Sequence, residues 1–245
     1  MNGEFISLRM LLVAVSPPQH QLWRQAASLA AVPIELSVHD CESAAKELAK
    51  GGADICVLDT AGAGADKDGV IEAARAAVPT PLVFAVTINS SLRPDGVDGV
   101  LTKPTCAEDA RGLVESCVRA KLPTRVLVVD DSGTMRSIVR KILSASRFTL
   151  AIEEAAEGQA ALDRLRGENF GIVFLDYNMP GLNGLETLTE IKLECPKVAV
   201  VMMTTTLDAT VSDRARAMGA LAFLKKPFYP ADIDAVLEGY FGLRG

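Results

Sequence analysis

Aromatic residues make up only 5% of this 245-residue chain, and histidine occurs twice, at His20 and His39. Cysteine is scarce and badly placed for bonding. Its five positions (Cys41, Cys56, Cys106, Cys117, Cys195) form an odd set with no C-x-x-C pair, which excludes a paired disulfide framework and a zinc cluster. These cysteines read as small buried hydrophobes in a reducing compartment. There is no excess of positive charge: 25 Lys and Arg face 31 Asp and Glu, a net charge of −6. Neither nucleic acid nor an anionic membrane surface is expected as a partner. The apolar run that starts at Met10 is too short to span a bilayer and lacks the flanks of a cleaved leader, so a cytoplasmic protein is expected. A charged fraction of 23% argues against a disordered chain. The length allows two cores of about 120 residues, each large enough for independent stability.

What fills the chain is an alternation of short apolar runs with longer stretches of helical period. In the second half the runs cover 126–129, 151–152, 172–175, 198–203 and 221–224. Most are short, β-branched and nearly continuous, the pattern of strands buried on both faces of a parallel sheet. Met135, Ile138, Val139, Ile142 and Leu143 recur on one helical stripe, with Arg136, Arg140 and Lys141 off it. Helical stretches at 158–165, 185–193, 212–218 and 233–240 complete a (βα)5 alternation, which right-handed crossovers turn into a doubly wound sheet. The first half repeats the scheme, with runs at 10–15, 34–38, 55–58, 82–86 and 99–101 and helical stretches at 21–31, 43–49, 70–77 and 108–120. The halves superimpose as sequences. ADICVLD ends at Asp59 and FGIVFLD at Asp176, 117 residues on; Thr87 and Thr204 are also 117 apart, and Lys103 and Lys226 are 123 apart. An α/β protein of two five-stranded domains is therefore expected, over residues 1–121 and 122–245, with Pro123 at the junction.

Polar residues that end parallel strands meet at the carboxyl edge of the sheet, where such folds bind ligands. The second half places Asp130 and Asp131 after its first strand, Asp176 after its third, Thr204 after its fourth and Lys226 after its fifth. Three neighbouring carboxylates repel one another unless a cation neutralises them, and oxygen ligands of this kind suit Mg²⁺. Thr204 and Lys226 are placed to meet phosphoryl oxygens. The constellation describes phosphoryl transfer to an aspartate.

The motifs VLVVDDS, LDYNMPGLNG, VMMTT and KKPF, in this order between Arg125 and about Tyr240, resemble the receiver domain of two-component response regulators. SGTMRSIVRKIL is similar to the first helix of the chemotaxis regulator CheY. The resemblance implies a flavodoxin-like, CheY-like fold with Asp176 as phosphoacceptor. Asp130 and Asp131 hold Mg²⁺, directly or through water, together with Asp176 and the backbone carbonyl of Asn178. Thr204 and Lys226 form the switch pair, and Phe223 stands where the family often has Tyr at the aromatic switch position. The phosphodonor is a histidine kinase or a small acyl phosphate, and the only chemistry is acceptance and hydrolysis of the protein's own phosphoryl group. Thr205 replaces a smaller residue and is expected to slow that hydrolysis.

The first half keeps Asp59, Thr87 and Lys103, but residues 13–18 contain no carboxylate, so Mg²⁺ is expected to bind poorly there. Thr87 and Lys103 are 16 residues apart against 22 for Thr204 and Lys226, and NSSLRPDGVDG is turn chemistry where a fourth helix belongs. This half reads as a degenerate receiver in which Asp59 is a relic or a structural residue. Residues 231–241 are needed for the last helix, which leaves no output module, and neither histidine stands in a phosphotransfer setting. Output is therefore expected through a downstream protein target, with an intramolecular or homodimeric receiver contact as a further form of association. The alternatives are a phosphate sink for a shared kinase, a phosphorylation-independent scaffold, and a phosphatase of the haloacid dehalogenase type. The phosphatase reading is disfavoured because its D-x-D nucleophile follows a first strand, whereas Asp176 follows a third.

Overall fold

In the computed structural model, which describes residues 7–88, 93–205 and 209–244, the short Val, Ile, Leu and Met runs form strands covered by helices on both faces. The first unit contains β1 (Leu8–Val13), α1 (Pro17–Ser28), β2 (Ile34–His39), α2 (Cys41–Ala49), β3 (Ile55–Asp59), the single turn α3 (Thr60–Ala63), α4 (Lys67–Ala76), β4 (Leu82–Thr87), β5 (Gly99–Thr102) and α5 (Ala107–Lys121). The second contains β6 (Thr124–Val129), α6 (Gly133–Ser144), β7 (Leu150–Ala155), α7 (Gly158–Gly167), β8 (Ile172–Asp176), α8 (Gly184–Glu194), β9 (Ala199–Thr204), α9 (Ala209–Ala217), β10 (Ala222–Lys225) and α10 (Pro230–Phe241). Strand order is β2-β1-β3-β4-β5 in one sheet and β7-β6-β8-β9-β10 in the other, parallel throughout. Both are doubly wound sheets of the same topology, in agreement with the expected fold class.

Burial explains which strands are plain in the sequence. Every residue of β3, β4 and β8 is buried, because helices close both faces of the sheet there. The edge strands β2 and β7 are only partly buried and carry polar residues. In β7, Glu153 is held by Arg125 and Arg164 and Glu154 by Arg136 and Arg140. That is why the strand runs from Leu150 to Ala155 although only 151–152 stand out as apolar. Helix α1 starts at Pro17, four residues before the apolar period begins. Proline suits the first helical turn, where an amide has no partner to lose.

Between β4 and β5 there is no helix among the described residues; residues 89–92 of the NSSLRPDGVDG stretch lie outside them. A buried carboxylate organises this connection. Asp98 accepts the Val83 amide at 2.7 Å and the Arg75 guanidinium at 2.8 Å, and Arg75 also donates to the Gly96 carbonyl at 2.6 Å.

The chain divides into Met1–Leu122 with Phe241–Gly245, and Pro123–Tyr240. The sequence assigned everything from 122 to 245 to the second unit; the differences are Leu122 and the terminal segment. Leu243 is fully buried, and its carbonyl accepts the Val100 amide at 2.8 Å. A Cβ on Gly99 would come within 2.7 Å of the Leu243 Cβ, so only glycine leaves room for that seat. No helix among the described residues is long and apolar enough to cross a membrane.

Candidate functional site

Strand register sets the site. Val129 of β6 pairs with Leu175 of β8, so the next residues of both strands, Asp130 and Asp176, emerge side by side at the carboxyl edge. Lys226 follows β10, and its amide donates to the Thr204 carbonyl at the end of β9. The Lys226 ammonium lies 2.6 Å from both Asp130 Oδ2 and Asp176 Oδ1, and the three side chains are 10%, 1% and 6% exposed. Asp130 Oδ1 accepts the Ser132 amide at 2.9 Å, and Arg136 donates to the Asp130 carbonyl at 2.7 Å. These bonds fix the turn from which the exposed Asp131 projects. Carboxylate oxygens of Asp130, Asp131 and Asp176 all lie within 4.8 Å of one another.

The β8–α8 turn is held equally firmly. Asn183 and Glu186 form a reciprocal cap, with Asn183 accepting the Leu185 and Glu186 amides and Glu186 accepting the Asn183 amide. Behind it, a Cβ on Gly184 would stand 2.4 Å from the Asp176 carbonyl oxygen and 2.7 Å from the Tyr177 Cα. Both are backbone atoms, so relief requires the end of β8 itself to shift. A Gly184→Ala substitution is expected to cost about 2 kcal/mol, measurable by urea denaturation, and to displace Asp176 from Lys226.

Burial raises the Asp176 carboxyl above its ordinary value, against the hydrogen bond and charge of Lys226, with the neighbouring Asp130 and Asp131 adding to the rise. Burial pulls Lys226 down, but its hydrogen bonds to Asp130 and Asp176 outweigh this and hold the ammonium above the usual lysine range. Three carboxylates against one ammonium leave the site at a formal charge of −2. An all-oxygen donor set with that charge fits a hard divalent cation.

These groups line a cleft of about 520 Å³ that also takes in Asn178, Thr205, Met135, Ile138 and Phe228. Thr204 is buried at the end of β9 and Phe223 packs half-buried against the core; neither is on the cleft wall. The apolar part of the wall was missed in the sequence. Met135 and Ile138 belong to the apolar stripe of α6, yet only Val139 and Leu143 of that stripe are buried, and Ile138 is 45% exposed. Their place one turn after the acidic pair was the available signal.

In the first unit, Val13 of β1 pairs with Leu58 of β3. Ala14 and Val15 therefore occupy the places of Asp130 and Asp131. Asp59 is buried and bound to Lys103 at 2.6 Å. Its Oδ1 accepts the Ala61 and Gly62 amides and caps α3, and Thr87 is buried at the end of β4.

Doubly wound parallel sheets with a carboxylate–lysine pair at the carboxyl edge define a class of α/β domains. The family model for the response regulator receiver domain matches residues 126–238. The transcriptional regulatory protein FixJ of Bradyrhizobium diazoefficiens is 34% identical over 113 residues, 46% of this chain and 54% of that protein. Protein CcdB of Bacillus subtilis is 38% identical over 105 residues, 43% of this chain and 87% of that protein. A protein-glutamate methylesterase/protein-glutamine glutaminase of Symbiobacterium thermophilum is 36% identical over 110 residues, 44% of this chain and 30% of that protein. The chain thus spans about half or less of FixJ and the methylesterase. Over nearly the whole chain, the fold matches the structure of a probable two-component system response regulator/GGDEF domain protein (TM-score 0.55, 21% identity, 96% of this chain and 98% of that one). The chain belongs to the response regulator receiver family of two-component signalling.

Proposed function

We propose that the second unit is a Mg²⁺-dependent phosphoacceptor switch whose output is contact with another protein. The observation that carries this reading is the Lys226 ammonium bridging Asp130 and Asp176 at 2.6 Å within a cluster of three carboxylates. Asp130, Asp131, Asp176 and the Asn178 carbonyl would hold the ion, which when bound supplies positive charge against the phosphoryl oxygens. The Asp176 carboxylate forms the new O–P bond as the P–N bond of a kinase phosphohistidine, or the P–O bond of a small acyl phosphate, breaks. Lys226 pairs with an oxygen of the arriving group, and Thr204 and Phe223 report its presence to the face formed by α9, β10 and α10. The chemistry is confined to the protein's own aspartyl phosphate. The likeness of residues 132–143 to CheY makes chemotaxis the first pathway to test.

The test is incubation of the purified protein with acetyl phosphate, with and without Mg²⁺, read by intact mass. One phosphoryl group per chain, absent in EDTA, is the expected result; incorporation that ignores the metal overturns the reading. Thr205 is exposed on the cleft wall and narrows the approach of water. Thr205→Ala is expected to speed loss of the phosphoryl group severalfold in a time course after donor removal.

The first unit, with Ala14 and Val15 in place of the acidic pair, we read as a degenerate receiver. Its Asp59–Lys103 pair is a structural bond and cap in this reading.

A further inference from the structure

The degenerate strand edge of the first unit is not a blank. Between the ends of β3 and β4 lies a cleft of about 470 Å³, lined among others by Ala61, Lys67, Thr87, Ile88, Arg93 and Pro94. Thr87 lines this space; its hydroxyl is buried, the residue being 4% exposed, and has no hydrogen-bond partner among the described residues. A buried hydroxyl without a partner is rare and needs an explanation. Asp59 does not supply one: its bonds run to the Ala61 and Gly62 amides and to Lys103.

The charge on this wall is opposite to that of the second unit. The ionisable groups lining it are Lys67, whose ammonium is 3.8 Å from Asp68, and Arg93, steadied by a 3.0 Å bond to the Val97 carbonyl; no carboxylate lines it among the described residues. The cleft of the second unit, at the ends of β6 and β8, is lined instead by Asp130, Asp131 and Asp176. Much of the remaining wall is apolar, and Ile88 at its mouth is 77% exposed, an apolar surface that a ligand would cover.

We propose that the first unit binds a small organic anion, a carboxylate or sulfonate on an apolar body. Its charged group meets Lys67 and Arg93 and accepts the Thr87 hydroxyl proton, while its body lies against Ala61, Ile88 and Pro94. The site needs neither a metal nor phosphorylation at Asp176.

Naphthoate is the probe, with naphthylmethanol as its uncharged counterpart, titrated into the full-length protein and followed by amide NMR. Naphthoate is expected to produce saturable shifts at Ala61, Gly64 and Ile88 and to bind about tenfold more tightly than the alcohol. The double substitution Lys67→Gln/Arg93→Gln is expected to remove that preference, and Thr87→Val to weaken naphthoate while Thr87→Ser restores it. Native emission from the buried Trp23, the only tryptophan, confirms that each variant is folded before it is scored. Equal binding of acid and alcohol overturns the proposal. So do shifts confined to Asp130, Met135 and Ile138, or an unchanged preference in the folded double variant.

Discussion

Asp176→Ala is expected to take up no phosphoryl group from acetyl phosphate and Mg²⁺, while Asp59→Ala takes up as much as the unaltered protein. The two aspartates make a strict comparison, because both end the third strand of the same topology and both hold a lysine ammonium at 2.6 Å. They differ in what else surrounds them. Asp176 shares its lysine with Asp130 and lies beside Asp131, a set that attracts a divalent cation. Asp59 spends its second oxygen on two backbone amides and has alanine and valine where the acidic pair would be. Without a metal, a phosphoryl group there would lack the divalent counter-charge that the second unit's carboxylates can hold. Phosphate that persists in Asp176→Ala and vanishes in Asp59→Ala would reverse the assignment of the active unit.

Lys226→Met is expected to destabilise the second unit by about 3 kcal/mol in metal-free buffer near neutral pH, the scale for stranding one side of a buried ion pair. The methionine fills the space of the lysine stem but leaves the Asp130 and Asp176 carboxylates facing each other without an ammonium. Added Mg²⁺ is expected to recover part of the loss, since the ion replaces the missing charge. The pH dependence carries a sign. Lys226 is held above its unfolded value, so its contribution is complete below the ordinary lysine range and fades as pH rises through the folded value. Asp176 is raised by burial, so its ionised form burdens the fold above that raised value, and the burden lifts as pH falls. Removing the lysine removes the main influence that lowers Asp176. The deficit of the variant should therefore shrink in acid, from a higher pH than in the unaltered protein. Thermal unfolding followed by circular dichroism across pH, with EDTA and with Mg²⁺, checks both statements; a deficit that neither acid nor Mg²⁺ reduces would mean that packing, not charge, is what Lys226 supplies.

The sheets were legible because their central strands are continuous apolar runs, which is what burial on two faces requires; ICVLD and IVFLD show it directly. Edge strands were not. The charged outer residues of β7 are satisfied by arginines that lie elsewhere in the chain, and no local pattern announces them. The ionic part of the site was readable because Asp130, Asp176 and Lys226 each follow a strand, and strand ends converge whatever the intervening loops do. Its apolar wall was not, since Met135 and Ile138 sit on a helical period that looks the same for a core face as for a cleft face. The seat of Leu243 had no signature at all. One leucine after a helix says nothing about the glycine 144 positions earlier that makes room for it.

Leu243 leaves the ribosome after every residue of the second unit, yet it completes a part of the molecule whose other strands were synthesised first. For roughly ten seconds of translation the Val100 amide has no Leu243 carbonyl to meet, and Gly99 leaves an open notch beside it. An exposed strand edge of that kind invites pairing with another chain. The early unit is thus born unfinished, and a ribosome that stalls near residue 240 would release a chain with that edge still bare.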